Sequence, residues 1–341
     1  MRSLALILLL TYSIHAKVCA QTSLATGEQP QMSLDAKGII RLVYGGKDKI
    51  FFTESKNNGS TFSKPVLVAE IPGMHLGMTR GPQIATSKDY SLVTAMDKEG
   101  NIHSLVLNHK TGKWGKSGRV NDKDGSAPEG LMSIAADESN RFYAVWLDLR
   151  DDRKNNICFA SFEKNKWSAN KFAYLSAEDH VCECCKPSIT AKGQTVSVMF
   201  RNWLKGSRDL YLTTSTDGGK TFSKAQKLGN GTWQLKGCPM DGGGVAIDSK
   251  NQTHTAWQRE GIVYYAQPGQ PEQKIGDGRH VALHGNLISW ENGSDLIVKG
   301  IDGSSQKIGE GTAMEVLQLK DKSILAIWET NDQIVFKKIK G

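Results

Sequence analysis

Apolar and polar residues alternate along this chain in short runs, and the runs recur in pairs. KIFFTES at 49, NIHSLVL at 101, NICFASF at 156, DLYLTTS at 209, GIVYYAQ at 261, DLIVKGI at 295 and QIVFKKI at 333 are the later members. The earlier members are IIRLVYG, YSLVTAM, FYAVWLD, VSVMFRN, THTAWQR, NLISWEN and ILAIWET. Alternation with period two puts every other side chain on one face of a strand. β-Branched and aromatic content, punctuated by Gly, Asn and Asp, marks the pairs as antiparallel hairpins. No long stretch has helical periodicity, so the chain is all-β.

The turns that follow these hairpins share a signature. STDGGKTFS (215–223) is the clearest copy, SKNNGSTFS (55–63) a weaker one, and NHKTGKW (108–114) and SFEKNKW (161–167) are eroded. Their aromatic positions Phe62, Trp114, Trp167 and Phe222 lie 52, 53 and 55 residues apart. In such a turn the aspartate bonds the backbone, a glycine supplies positive φ, and the aromatic folds back onto the strands. A unit repeating at about this length is one supersecondary element that must stack on its neighbours to bury its faces.

The Ser-x-Asp-x-Gly-x-Thr-aromatic turn at 215–222 resembles the Asp-box of the sialidase superfamily. The resemblance covers residues 30 to 260 well and the last eighty poorly, and it implies a β-propeller. Seven hairpins predict seven four-stranded antiparallel blades, with the segment after Gln21 closing the ring; six, the usual sialidase number, is the alternative.

Propeller topology gathers certain loops on one face. The loops entering each innermost strand are MHLGMTRGP (74–82), SAPEG (126–130), HVCECCKP (180–187), GCPMDGGG (237–244), DGRH (277–280) and EGTAME (310–315). They share that face with DLRDDRKNN (148–156), RNWLKGSRD (201–209) and QREG (258–261), which join second and third strands. The Asp-box turns fall on the opposite face.

Composition narrows the function. Residues 1–20 read as a secretory signal, with Arg2, an apolar stretch from Leu4 to Leu10, and a small-residue cleavage site ending at Ala20. Residues 21–341 are then one exported propeller domain, periplasmic or extracellular. The apolar run is too short to span a bilayer, so no integral membrane segment is expected. Removing Arg2 and Lys17 takes the net charge from +8 to +6. The remaining lysines are scattered rather than blocked, which excludes a nucleic-acid tail and leaves mild attraction to acidic ligands.

Three chemistries compete for the loop-rich face. Sialidase-type glycoside hydrolysis, which the resemblance implies, needs arginines on a carboxylate, an acid and a tyrosine nucleophile. Arg80, Arg201 and Arg259 would clamp the substrate, Asp97 or Asp148 would donate the proton, and Glu129 would polarise the nucleophile. Arg80-Gly81-Pro82 resembles the Arg-Ile-Pro segment of sialidases, with glycine in place of isoleucine. Tyr44 is the available tyrosine, and it is poorly placed for the face. Arg150, Arg208 and Asp241 add polar groups, and Trp203 and Trp233 add stacking surfaces, so a glycan or other small acidic ligand is the expected partner. For each arginine, a salt bridge across adjacent blades is the competing role.

The cysteines offer the other two chemistries. Cys182, Cys184 and Cys185 face Cys238 one blade later, and export favours disulfides, so a bridge from Cys238 to one of the triplet is expected, with the other two pairing with each other. Cys158, inside a strand, should be a buried thiol. In the alternative, copper or zinc is held by Met74, His75, Met78, His180, Cys182, Cys185, Cys238 and Met240, soft ligands suited to either metal. Otherwise no cofactor is expected.

Overall fold

The computed structural model describes residues 21–151 and 154–340; the signal-peptide reading of residues 1–20 falls outside them. Seven antiparallel sheets form a ring. From blade 1 to blade 7 the innermost strands are Glu28–Leu34, Gln83–Thr86, Met132–Ala136, Ser188–Lys192, Gly244–Ile247, Arg279–His284 and Thr312–Gln318. Each contacts the innermost strand of the next blade, and blade 7 contacts blade 1. The seventh blade takes its outer strand, Thr22–Thr26, from the N-terminal end, paired antiparallel with Gln333–Ile339. This closes the ring by completing the seventh blade with a strand that leads directly into the first. Seven blades are therefore present, not six. The outer edge of blade 3 departs from four strands: Lys166–Trp167 and Lys171–Tyr174 both pair with Asn156–Glu163.

The second strands are the deepest. Phe142–Asp148 is buried at every position, as expected for a strand covered on both faces. Hydrophobic clusters lie mostly between blades. Met199, Leu210, Leu212 and Leu228 of blade 4 pack on Val245 and Trp257 of blade 5, and Leu296 and Val298 of blade 6 on Val316 and Trp328 of blade 7. The recurring tryptophans are thus interblade wedges. The Nε1 of Trp290 donates to Asp277 O at 3.1 Å and that of Trp328 to Glu310 O at 3.0 Å, each reaching the preceding blade. Cys158 is a fully buried thiol among Met132, Ala144 and Trp146.

The turn signature has a hydrogen-bond basis. Asp217 Oδ1 accepts from Ser215 Oγ at 2.6 Å and from Thr221 N at 2.9 Å, while Oδ2 accepts from Thr221 Oγ1 at 2.6 Å. These donors hold its carboxyl well below the usual range. Gly219 N donates to Ser215 Oγ, and Phe222 packs edge-on against Phe159 with centroids 5.0 Å apart. The weaker copy repeats the pattern: Asn57 Oδ1 accepts from Ser55 Oγ and Thr61 N, and Phe62 meets Phe336.

Gly219 has φ +81, and an added Cβ would lie 2.3 Å from the Phe159 ring. Gly219→Ala should lower stability by about 2–4 kcal/mol through left-handed strain and overpacking. Gly112→Ala, at φ +67 but with open space around it, should cost no more than about 1–2 kcal/mol. Urea unfolding midpoints of the two variants test the difference.

Candidate functional site

All seven innermost strands or the loops entering them line a cavity of about 570 Å³ on the propeller axis. Its apolar wall includes Met32, Ile84, Ile134, Ile189, Val245 and Leu283 of the innermost strands. Its polar groups arrive from the ends of these strands. Lys186 enters just before Ser188–Lys192 and spans the ring to blade 2, donating from Nζ to Gln83 Oε1 at 2.8 Å. Burial pulls its ammonium below the ordinary lysine value, and the Glu315 charge only partly offsets this.

Blades 6 and 7 supply two imidazole–carboxylate pairs. His284 Nε2 lies 2.9 Å from Glu315 Oε2, and Gln31 Nε2 donates to the other Glu315 oxygen at 2.7 Å. His280 Nδ1 lies 2.7 Å from Glu291 Oε2, whose partner oxygen accepts from Ala313 N at 2.9 Å. The hydrogen bond that His280 donates to the Glu291 carboxylate raises the His280 pKa against the opposing effect of burial. For His284 burial works downward, but the Glu315 carboxylate wins and the net shift is upward. Asp241 accepts from His280 N at 2.6 Å and from Gly243 N at 3.2 Å, and burial raises its carboxyl. The glycines beside it permit close approach: a Cβ on Gly242 would lie 1.7 Å from Lys186 O.

The cysteine loop borders this cavity through Lys186. Cys184 is bonded to Cys238, with Cα atoms 6.2 Å apart, so the entry loops of blades 4 and 5 are tied. Closing a loop of 54 residues stabilises by about 4 kcal/mol in the chain-entropy picture. Cys182 and Cys185 remain thiols, both buried, with sulfurs 3.3 Å apart.

Most of the expected clamp is committed to internal contacts. Arg201 is 1% exposed, and its guanidinium donates to the carbonyls of Asp241, Arg208 and Gln258. Arg259 forms a two-pronged pair with Glu272 and lies over Tyr264. Arg150 holds Asp148, Asp122 and Asn170, and Asp148 is wholly buried beneath Ser126 and Trp146. Asp97 caps its own turn through Asn101 and pairs with His103. Tyr44 is in the core, stacked on Phe51. The interblade salt bridge expected as their competing role is not what Arg201 and Arg259 make: Arg201 donates to backbone carbonyls and Arg259 pairs with Glu272 inside its own blade, so these donors end on protein acceptors of another kind. Arg80 and Glu129 do meet: Nε donates to Glu129 O at 2.6 Å, Nη2 is 4.0 Å from Oε2, and burial raises the Glu129 carboxyl.

The stacking and metal candidates also disperse. Trp203 covers Arg208 and lies near His180, and Trp233 covers Arg201, so both rings face protein cations. Met74 is packed in a core with Ile50 and Phe52. His75 is bonded to Pro128 O and His180 to Glu178 O. Met78 and Met240 line the axial cavity. Of the eight soft-ligand candidates, Cys182 and Cys185 stay together beside the Cys184–Cys238 bridge, with the sulfurs of Cys182, Cys184 and Cys185 within 4.8 Å of one another, while Met74 lies in a core, His75 and His180 bond loop carbonyls, and Met78 and Met240 line the cavity.

Lys186, Arg279, His280, His284, Glu291 and Glu315 were not singled out from sequence, although three entry loops contain or adjoin most of them. A charged residue at the end of an inner strand was the available signal.

No known protein family and no curated protein sequence matches the chain. Solved structures do. The β-propeller domain of the Trilobed protease from Pyrococcus furiosus is 11% identical with a TM-score of 0.54, covering 93% of this chain and 96% of that one. The Aleuria aurantia lectin in complex with Fucα1-6GlcNAc is 11% identical at 0.50, covering 94% and 97%. The NanB sialidase from Streptococcus pneumoniae is 13% identical at 0.44, covering 98% of this chain. The chain spans 70% of that sialidase and 64% of a polysaccharide lyase also matched. The similarity to the protease domain and to the lectin bears out the propeller fold. No helix among the described residues is long and apolar enough to cross a membrane.

The raised His280 pKa has a defined sign. Its pairing with Glu291 contributes stability fully below about pH 6.5, the unfolded value, and loses it as pH rises through the higher folded value. Glu291→Gln should therefore destabilise at pH 5.5, with the gap to wild type narrowing as His280 deprotonates. Urea unfolding across that range measures it.

Proposed function

We propose that this chain is an exported propeller that binds a small acidic ligand, a sugar acid, in its axial cavity. The observation that supports this most strongly is Lys186. Its side chain is partly buried inside the ring, burial pulls its ammonium downward, and among the described residues it donates to a neutral amide, Gln83. A desolvated cation without a hydrogen-bonded counter-ion favours an anion that supplies one. Arg279, whose Nη2 bonds the Pro239 carbonyl at 3.2 Å, adds a second cation on the same wall. Around them Thr312 adds a hydroxyl, and Gln29, Gln31, Ser133 and Ser188, whose donors end on Glu329, Glu315, Pro187 O and Gly243 O, present acceptor oxygens to sugar hydroxyls, next to apolar wall. The volume is within the range of small-ligand sites.

Recognition, not hydrolysis, is the reading these residues support. Arg201 and Arg259 have their donors occupied by protein carbonyls and Glu272, and Tyr44 has no route to a substrate from the core. Export follows from the leader-like residues 1–20 and fits a glycan-derived ligand.

Calorimetric titration with glucuronate, galacturonate and N-acetylneuraminate, against their neutral carboxyl methyl esters, tests the proposal. At least one acid should bind, and Lys186→Met should weaken it roughly 10- to 100-fold, the value of a charge-assisted hydrogen bond. Equal binding of neutral and acidic sugars, or unchanged affinity in Lys186→Met, would overturn it.

A further inference from the structure

The four clustered cysteines hold one disulfide and two thiols in contact, an arrangement that exceeds a simple tie. Cys182 Sγ lies 3.6 Å from Cys184 Sγ, one half of the bridge, and 3.3 Å from Cys185 Sγ. Arg208 Nη1 donates to Cys182 Sγ at 2.9 Å. That guanidinium is fixed by Trp203, 4.5 Å from its centre, and by Leu235 O. The groups bearing on Cys182 are thus Cys185, Arg208 and Arg201, with Asp241 behind Cys185. Burial separates the partners: Cys182 and Cys185 are 1% and 2% exposed, Cys184 is half-buried, and Cys238 is exposed.

We propose that Cys182, Cys185 and the Cys184–Cys238 bridge form a thiol–disulfide exchange centre that moves oxidation between a buried pair and a surface pair. The Cys182 thiolate attacks Cys184 Sγ, the Cys184–Cys238 bond breaks, and the electron pair leaves on Cys238. Cys185 then attacks Cys182 Sγ, expelling Cys184, and the Cys185 proton ends on Cys184 or Cys238. The products are a Cys182–Cys185 disulfide and a surface dithiol, with no net oxidation. A disulfide substrate RSSR can next be attacked by Cys238, releasing RS⁻. Cys184 resolves the mixed disulfide, releases the second RS⁻ and restores the interblade bridge. The sum is RSSR plus the Cys182 and Cys185 thiols giving two RSH and a second protein disulfide.

Two features favour Cys182 as the attacking sulfur. Exchange runs through the thiolate and is fastest when the attacker's pKa is near ambient pH. The Cys185 thiol as donor, followed by the Arg208 and Arg201 charges, outweighs burial and lowers Cys182 to about 6. Burial pushes Cys185 upward, which suits a thiol that acts second. This centre stands apart from ligand binding in the cavity and does not depend on it.

The test uses the chain from Gln21 onward, incubated with oxidised glutathione, quenched in acid and mapped as peptides without reduction. Wild type should release two glutathione thiols per chain and gain a Cys182–Cys185 cross-link while retaining Cys184–Cys238. Cys185→Ser should stop half-way and carry glutathione on Cys238, and Cys182→Ser should release none. Arg208→Gln should move the rate's pH inflection upward and slow exchange at pH 6 by about tenfold, after allowing for the greater nucleophilicity of a more basic thiolate. The proposal is overturned if wild type keeps Cys182 and Cys185 as thiols, if glutathione sits on Cys182 in Cys185→Ser, or if the isolated protein carries stoichiometric zinc or copper on these thiols.

Discussion

Everything in this molecule depends on the pairing of Thr22–Thr26 with Gln333–Ile339, which joins the two ends of the chain. A ring of blades is stable only when every blade has two neighbours to cover its faces, because each sheet is apolar on both sides. The closing strand gives blade 7 its fourth strand, and Met32, Ile40 and Leu42 then pack against Leu325, Ile327 and Phe336. With closure in place, seven innermost strands converge on one axis. The space they leave is the cavity.

Much of the fold was legible because two local signals agreed. Period-two runs fixed the second and third strands of all seven blades, and the Ser215–Phe222 turn fixed the register of the third and fourth. The innermost strands were harder. Gln83–Thr86 and Gly244–Ile247 have only four residues each, too few for alternation to announce itself. His284 and Glu315 sit on inner strands, where a polar residue reads as a solvent-facing position. Only the closed ring turns that face into a cavity wall.

The arginines illustrate the opposite difficulty. Their position beside loops on the ligand face was readable, but for Arg201 two of the carbonyls that accept its hydrogen bonds come from the next blade, remote in sequence. Arg201 reaches Asp241 and Gln258, which are 40 and 57 residues away. The cysteines were intermediate: the one-blade offset to Cys238 was visible, and the choice of Cys184 required coordinates. That choice leaves Cys185 immediately before Lys186, whose carbonyl abuts Gly242, so the tied loops and the cavity wall share backbone.

The claim that the axial cavity is the ligand site is tested most directly by imidazole NMR during titration with an acidic sugar. The account predicts that His280 and His284 shift together along one saturation curve while His103 and His254, held by Asp97 and Tyr265 outside the cavity, stay fixed. Shifts at His75 or His180 with none at His280 and His284 would contradict it.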